Sequence, residues 1–374
     1  RPPRSTLFPY TTLFRSAVSS RNADQERQEN KMMRAWISFG VVIILLILLF
    51  FASINIGSLK VGFGELLSGL FVKYNKDVAT IYDLRFPRII ISMLAGAAIA
   101  VSGVLFQAVL KNPLADPGII GISSGASFTA VIITAFAPTL YFFTPIAAFA
   151  GGVVAFFMVY CLSWKGGLSP MRIILTGVAV NSLFTGLSSA LNSMSGGDRT
   201  GVAAIVEANI TQKTWDDVTT LFPYVVAGLF LAMLFTQECN LLSLEDKTAR
   251  SLGVNVNVTR IVISLVAVLL ASISTAVAGA ISFLGLIVPH IGRILVGSNH
   301  KMLIPFSAFF GAFTFLLADT IGRTIAAPNE VSAAVIMSVV GGPFFILLLR
   351  RSGRYEIGRA CVGKECRSRW SPYH

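Results

Sequence analysis

Residues 85–130 read RFPRIIISMLAGAAIAVSGVLFQAVLKNPLADPGIIGISSGASFTA, and the fold follows from them. Two arginines precede an uncharged run, Ile89 to Leu110, which at roughly 1.5 Å per helical residue is long enough to cross a hydrocarbon core about 30 Å thick. Ser92, Gly96, Ala100, Gly103 and Gln107 fall on one face of that helix, a stripe of mostly small residues where another helix packs closely. Asn112-Pro113 and Asp116-Pro117 then push the chain out of helical geometry twice and remove two backbone donors, so the chain turns here. Unsatisfied backbone is not tolerated in lipid, which places the turn at an aqueous surface or inside protein. Lys111 beside it points to the cytoplasmic face.

Composition agrees. The 374 residues are 54% hydrophobic and only 13% charged, with a mean hydropathy of +0.74, whereas a soluble domain carries about 25% charged residues. The formal charge of +12 is distributed over short loops and tails between apolar runs, which is the pattern of a membrane protein and argues against a nucleic-acid partner. The four cysteines, Cys161, Cys239, Cys361 and Cys366, have neither disulfide-framework nor metal-ligand spacing.

Working outward, apolar runs predict an all-α polytopic membrane protein of about ten transmembrane helices: 36–52, 89–110, 119–136, 145–162, 171–192, 221–235, 261–278, 281–296, 302–321 and 331–349. Residues 53–86 read as a loop with amphipathic pieces around 63–72, and residues 193–220 as the longest external loop. An even number of spans puts both ends on one side. With the extreme termini set aside, loop parity gives fifteen basic residues to the side of the N-terminus and eight to the other, so both termini are expected in the cytoplasm. Residues 1–16 and 359–374 read as translated adapter sequence, with native disordered tails as the alternative; without them the charge falls to +6, since they carry seven basic residues and one acidic. The expected divisions are a non-native leader (1–16), a cytoplasmic segment (17–34), a ten-helix domain (35–352) and a tail (353–374), non-native from 359.

The run from Arg85 to Ser127 resembles the permease subunits of bacterial ABC importers for iron-siderophore complexes, haem and vitamin B12. Three later stretches agree in order: LSPMRIILTGVAVN from Leu168, LLSLEDKTARSLGVNV from Leu241, and the long run from Ala278 to Arg323. The likeness covers residues 35–352. One departure lies after the fifth span, where the family usually carries Trp-x-x-Gly-Ser and this chain has AIVEANITQKTW, residues 204–215.

Candidate sites are read twice, from the residues and from the resemblance. Arg85, Arg88 and Arg323 fall at outer span ends, where planar guanidinium forks suit carboxylates but equally suit ordinary anchoring of helix ends. The resemblance implies that they receive acidic residues from the two lobes of an extracytoplasmic binding protein. The segment 241–256 is amphipathic and reads as two short surface helices; the resemblance implies an element that couples to the ATP-binding subunit through Leu241, Leu244, Glu245, Ala249, Arg250, Leu252 and Gly253. Ser169, Pro170 and Met171 form a short turn that needs no gate to explain it, and which the resemblance makes the cytoplasmic gate. Asn112, Pro113, Asp116 and Pro117 make a turn that, by resemblance, also braces the ATPase interface. His290 has no second ligand at i+3 or i+4 and reads as a packed histidine, so no metal site is expected.

No GxxxxGK[ST] phosphate loop, HExxH or GxSxG pattern occurs, so the chain is expected to be no enzyme, to hold no cofactor and to draw its energy from a partner. The implied partners are a second permease subunit, two ATP-binding subunits, the binding protein, membrane lipid and a cargo, with a ferric siderophore first and haem or cobalamin as alternatives. The implied location is the bacterial cytoplasmic membrane. A secondary transporter would need ionisable residues inside its spans, and here only Arg293 and Asp319 come close, both near span ends. A non-transporting scaffold remains the other rival.

Overall fold

The protein is described by a computed structural model covering residues 9–55, 76–163, 170–194, 200–326, 329–348 and 350. The described residues are helical with connecting turns and include no strand. The elements are α1 (Pro9–Asn55), α2 (Lys76–Leu110), α3 (Ile122–Phe136), α4 (Thr144–Ser163), α5 (Pro170–Met194), α6 (Thr200–Val206), α7 (Trp215–Leu234), α8 (Thr236–Leu242), α9 (Asp246–Ser251), α10 (Val256–Ala278), α11 (Leu284–Val296), α12 (His300–Ile325) and α13 (Ala333–Leu348). Seven helical segments are long and apolar enough to cross a membrane, and α3, α11 and α13 are shorter apolar helices. These ten correspond one for one to the expected spans.

The centre of the bundle is α2. Its most apolar window is 83% buried, against 22% for α1 and 28% for α5, so α2 is an interior helix and those two are peripheral. It packs on α12, α10, α7 and α11, with α12 the most extensive neighbour. The stripe predicted on α2 explains the closeness. A Cβ on Gly103 would lie 2.0 Å from the Gly285 carbonyl oxygen of α11, and one on Gly96 would lie 2.4 Å from the Gly311 carbonyl oxygen of α12. Backbone meets backbone at both crossings, which gives association in lipid through packing where a hydrophobic driving force between helices is lacking. At the C-terminal end of the same stripe, Gln107 donates to the carbonyls of Ala115 (3.2 Å) and Gly285 (3.1 Å) and accepts from Arg293.

Several boundaries differ from the sequence expectation. α2 begins at Lys76 and runs through Pro87, so Arg85 and Arg88 sit within a helix, not ahead of one. α7 begins at Trp215, six residues before the expected start, because Thr214 and Asp217 form a capping box. The segment expected as a plain external loop contains α6, which packs on α3. α12 extends to Ile325, which brings Arg323 into its last turn. Between α10 and α11 the backbone is irregular, with Gly279 and Phe283 at positive φ; this break is held inside protein, where lipid does not reach its polar groups. The amphipathic pieces expected at 63–72 lie outside the described residues.

Candidate functional site

At one end of the bundle α2 and α12 bring together residues 231 positions apart. Arg88 donates to Asp319 from Nε (3.1 Å) and Nη2 (2.8 Å), and from Nη1 to Glu330 Oε2 (2.7 Å). Asp319 is 1% exposed and Arg88 is 6% exposed. Arg323, one turn along α12 from Asp319, places its Nε 3.2 Å from Asp319 Oδ2 and turns its other nitrogens to Ser53 at the end of α1. Arg85 donates to the Ile54 carbonyl beside it. The three predicted arginines therefore do converge, but two of them are already engaged by carboxylates of this chain. The Glu330 carboxylate also accepts from Thr211 Oγ1 (2.9 Å), which ties in the connection between α6 and α7. Burial pushes the Glu330 carboxyl up, but the hydrogen bond and charge of Arg88, with Thr211 and Arg323, outweigh it and hold the group below the usual carboxylate range. A cavity of about 450 Å³ opens beside Thr211, bordered by Tyr141, Glu207, Asn209, Lys213 and Asp217.

Sequence reasoning noted Asp319 only as a charge near a span end and did not single out Glu330 or Thr211. Their signal is not local: nothing in the spacing of 88, 211, 319 and 330 links them.

The other end carries the two short helices expected around 241–256, displaced upstream as α8 and α9. Leu244 and Leu252 are 39% and 59% exposed, and Glu245, Arg250 and Gly253 are exposed, while Ala249 is buried and Leu241 half-buried. Ala249 therefore faces the bundle, and the other expected positions offer leucines beside charges. Gly253, at φ +86, ends α9: its own amide reaches the Arg250 carbonyl (3.0 Å) and the Val254 amide reaches the Ala249 carbonyl (3.2 Å), a left-handed cap for which glycine carries no Cβ penalty. Asp246, at the start of α9, accepts from Lys111 Nζ (2.7 Å) and from Arg260 Nη2 (2.9 Å). The Lys111 hydrogen bond, with the charges of Arg260 and Lys111, holds its carboxyl below the usual range despite burial. Lys111 also donates to the Leu244 carbonyl. The α8–α9 element is thus pinned to the C-terminal end of α2. A second tie runs from Asn240 on α8, whose Oδ1 accepts from the His300 amide (2.9 Å) at the start of α12.

The turn after α2 is built by its own side chains. Asn112 Oδ1 accepts from the Leu114 amide (3.0 Å), and Asp116 Oδ1 accepts from the amides of Gly118 (2.8 Å) and Ile119 (3.2 Å). Pro113 is exposed, while Asp116 and Pro117 are buried near the first residues of α11. Burial raises the Asp116 carboxyl to about 6, with the amides of Gly118, Ile119, Gly285 and Leu286 acting in the opposite sense. Of the gate residues, Ser169 lies outside the described residues, Pro170 opens α5, and Met171 is 67% exposed. The His290 ring meets Phe344 edge-on at 5.7 Å, and among the described residues no group of three or more His, Cys, Asp or Glu is placed to hold a metal.

The sequence model of the FecCD transport family matches residues 45–351. The chain belongs to that family. This FecCD-family chain is 40% identical over 319 residues to the protein of Staphylococcus aureus strain MSSA476 named "Probable heme-iron transport system permease protein IsdF", a match spanning 85% of this chain and 97% of that protein; the protein of strain MW2 matches equally. Its fold matches a solved structure described as "An inward-facing conformation of a putative metal-chelate type ABC transporter", with a TM-score of 0.70 at 26% identity, over 84% of this chain and 99% of that one. PsaBC from Streptococcus pneumoniae in complex with Fab shares the fold at a TM-score of 0.54 and 19% identity, over 76% of this chain and 95% of that one. The FecCD-family protein is accordingly a multi-pass permease subunit of an ABC importer.

Proposed function

We propose that this subunit pairs with a second copy, or with a close relative, to enclose a path for an iron chelate across the bacterial cytoplasmic membrane, with both termini inside. Two ATP-binding subunits seat on α8 and α9, and an extracytoplasmic binding protein docks over the arginine cluster at the opposite end. The observation that carries this reading is the placement of α2. Arg85 and Arg88 lie at the start of its apolar run, inside the helix, and Lys111, bonded to Asp246 of the coupling element, lies just past its last residue, about 39 Å from Arg85 at 1.5 Å per residue. Asn112 and Pro113 brace the ATPase side, with Asp116 and Pro117 supporting the turn from within. Ser169, Pro170 and Met171 narrow the inner mouth. Binding and release of ATP bias the path between outward and inward openings through the coupling element.

The family resemblance put a ferric siderophore first among the cargoes. The name carried by the Staphylococcus aureus relatives supports haem instead, and haem is the cargo we favour, with cobalamin third.

The test is uptake of radio-iron, supplied as haem and as a ferric siderophore, in cells expressing the full chain with its neighbouring ATPase and binding protein. Arg85→Glu is the control, because reversing Arg88 or Arg323 would also strand the buried Asp319. Uptake of haem, falling at least about tenfold in Arg85→Glu at equal membrane levels, is the expected result. Uptake indifferent to the reversal removes the docking assignment, and siderophore uptake without haem uptake reassigns the cargo.

A further inference from the structure

We propose that Glu330 is an intramolecular stand-in for the docking partner's carboxylate: it occupies the outward nitrogen of Arg88 and is exchanged for an acidic side chain of the binding protein when that protein docks. The inference rests on the docking reading given above and adds what that reading lacks, an account of how a buried, already paired arginine receives a partner.

The two carboxylates on Arg88 are not equivalent. Asp319 takes the Nε and Nη2 edge of the guanidinium and is itself 1% exposed. Removing it would take from Arg323 its carboxylate and leave the buried Arg88 held only at Nη1 by Glu330, so it stays. Glu330 takes only Nη1, its side chain is 37% exposed, and its two hydrogen bonds among the described residues, from Arg88 and Thr211, go to a single oxygen, Oε2. Of the two carboxylates on Arg88 it is the one that solvent reaches and that is held at one point. A carboxylate arriving from outside finds the inner edge of the fork filled and the outer edge covered by a group it matches in charge and chemistry. One charge-assisted bond then replaces another, with no guanidinium left unpaired.

The exchange also moves something. Glu330 adjoins Val331, whose amide donates to the Gly322 carbonyl (3.0 Å) and closes the turn between α12 and α13. Its other tether, Thr211, lies in the α6–α7 connection. Release of Glu330 frees both outer connections together, so docking reports directly to the outer rim.

The test measures binding of the binding protein from the same transport system to the full permease, assembled with its ATP-binding subunits in lipid nanodiscs. Wild type, Glu330→Gln, Glu330→Asp and Arg85→Glu are compared by surface-immobilised kinetics, with thermal melting to verify folding. An internal competitor raises the apparent dissociation constant by the reciprocal of the fraction of sites it leaves free. Glu330→Gln, which keeps an oxygen for Thr211 but removes the charge, should bind about three- to tenfold tighter. Glu330→Asp keeps the charge but is one methylene too short to hold Nη1, and should also bind tighter. Tightening in the glutamine variant alone would mean that net charge acts at a distance, and would overturn the exchange. Unchanged or weaker binding in both would overturn it as well. Arg85→Glu separates the two readings: if it leaves binding intact the docking assignment itself falls, whereas if it abolishes binding while the Glu330 variants do not tighten, only the stand-in role falls.

Discussion

Asp319 neutralises two buried guanidiniums at once, and the arrangement leaves little tolerance for its loss. Asp319→Asn keeps the volume and removes the charge that faces Arg88 and Arg323; breaking a buried pair in this way costs about 3–5 kcal/mol, so the variant should show a sharply lowered melting temperature in detergent, while Glu330→Gln, at the exposed edge, should melt close to wild type. Asp116 makes a different prediction. Its folded carboxyl is raised from 3.8 to about 6. Below pH 4 both folded and unfolded forms are protonated and the group is neutral in effect; as pH rises from 4 to 6 the unfolded form ionises first and the fold loses stability, on the order of 3 kcal/mol in all, with no further change above 6. Asp116→Asn retains the Oδ1 acceptor for Gly118 and should abolish that part of the slope, which pH-dependent melting between 4 and 7 would measure. The sequence named the three arginines because a fork suited to carboxylates is a property of the residue type. It did not name Glu330, because the pairing partner is a property of the fold.

At the scale of elements, the small-residue stripe on α2 was legible from periodicity, and the contacts at Gly96 and Gly103 are its consequence. Which helices arrive there was not legible, since Gly311 and Gly285 are ordinary glycines in their own segments and only the tertiary crossing distinguishes them. Gly103→Val should therefore be far more damaging than its small change in volume suggests. Its Cβ would meet main chain, which cannot rotate aside, and the strain exceeds the usual 1–3 kcal/mol of overpacking; Gly40→Ala on α1, where nothing lies within 4 Å, is the matched control. Size-exclusion profiles of the detergent-extracted protein should show a monodisperse peak for the control and aggregate for Gly103→Val. The early start of α7 had a readable signal in Thr214 and Asp217 at capping-box spacing, passed over in favour of the hydropathy rise at Leu221. The helical start of α2 before Pro87 had no such signal, because proline argues locally against the helix that tertiary packing completes.

Across the whole molecule, charge is segregated to the two ends of the bundle, and this makes orientation testable without reference to any partner. Lys213 lies in the connection that faces the arginine cluster, and Arg250 lies on α9 at the end where Lys111 and Arg260 hold Asp246. The excess of basic residues on the Arg250 side predicts that this end faces the cytoplasm, because short basic loops resist translocation. In a background lacking all four cysteines, Lys213→Cys should react with a membrane-impermeant maleimide on intact cells, and Arg250→Cys should react only after permeabilisation. Arg250 is well suited to the inner probe because its side chain is exposed and it takes no part in the Asp246 ion pairs. Labelling of Arg250→Cys in intact cells would invert the topology, move the arginine cluster to the ATPase side, and remove both the docking assignment and the coupling role of α8 and α9 together. Labelling of Lys213→Cys alone places the cluster where an extracytoplasmic protein meets it, and leaves α2 as the helix that joins that surface to the side where ATP acts.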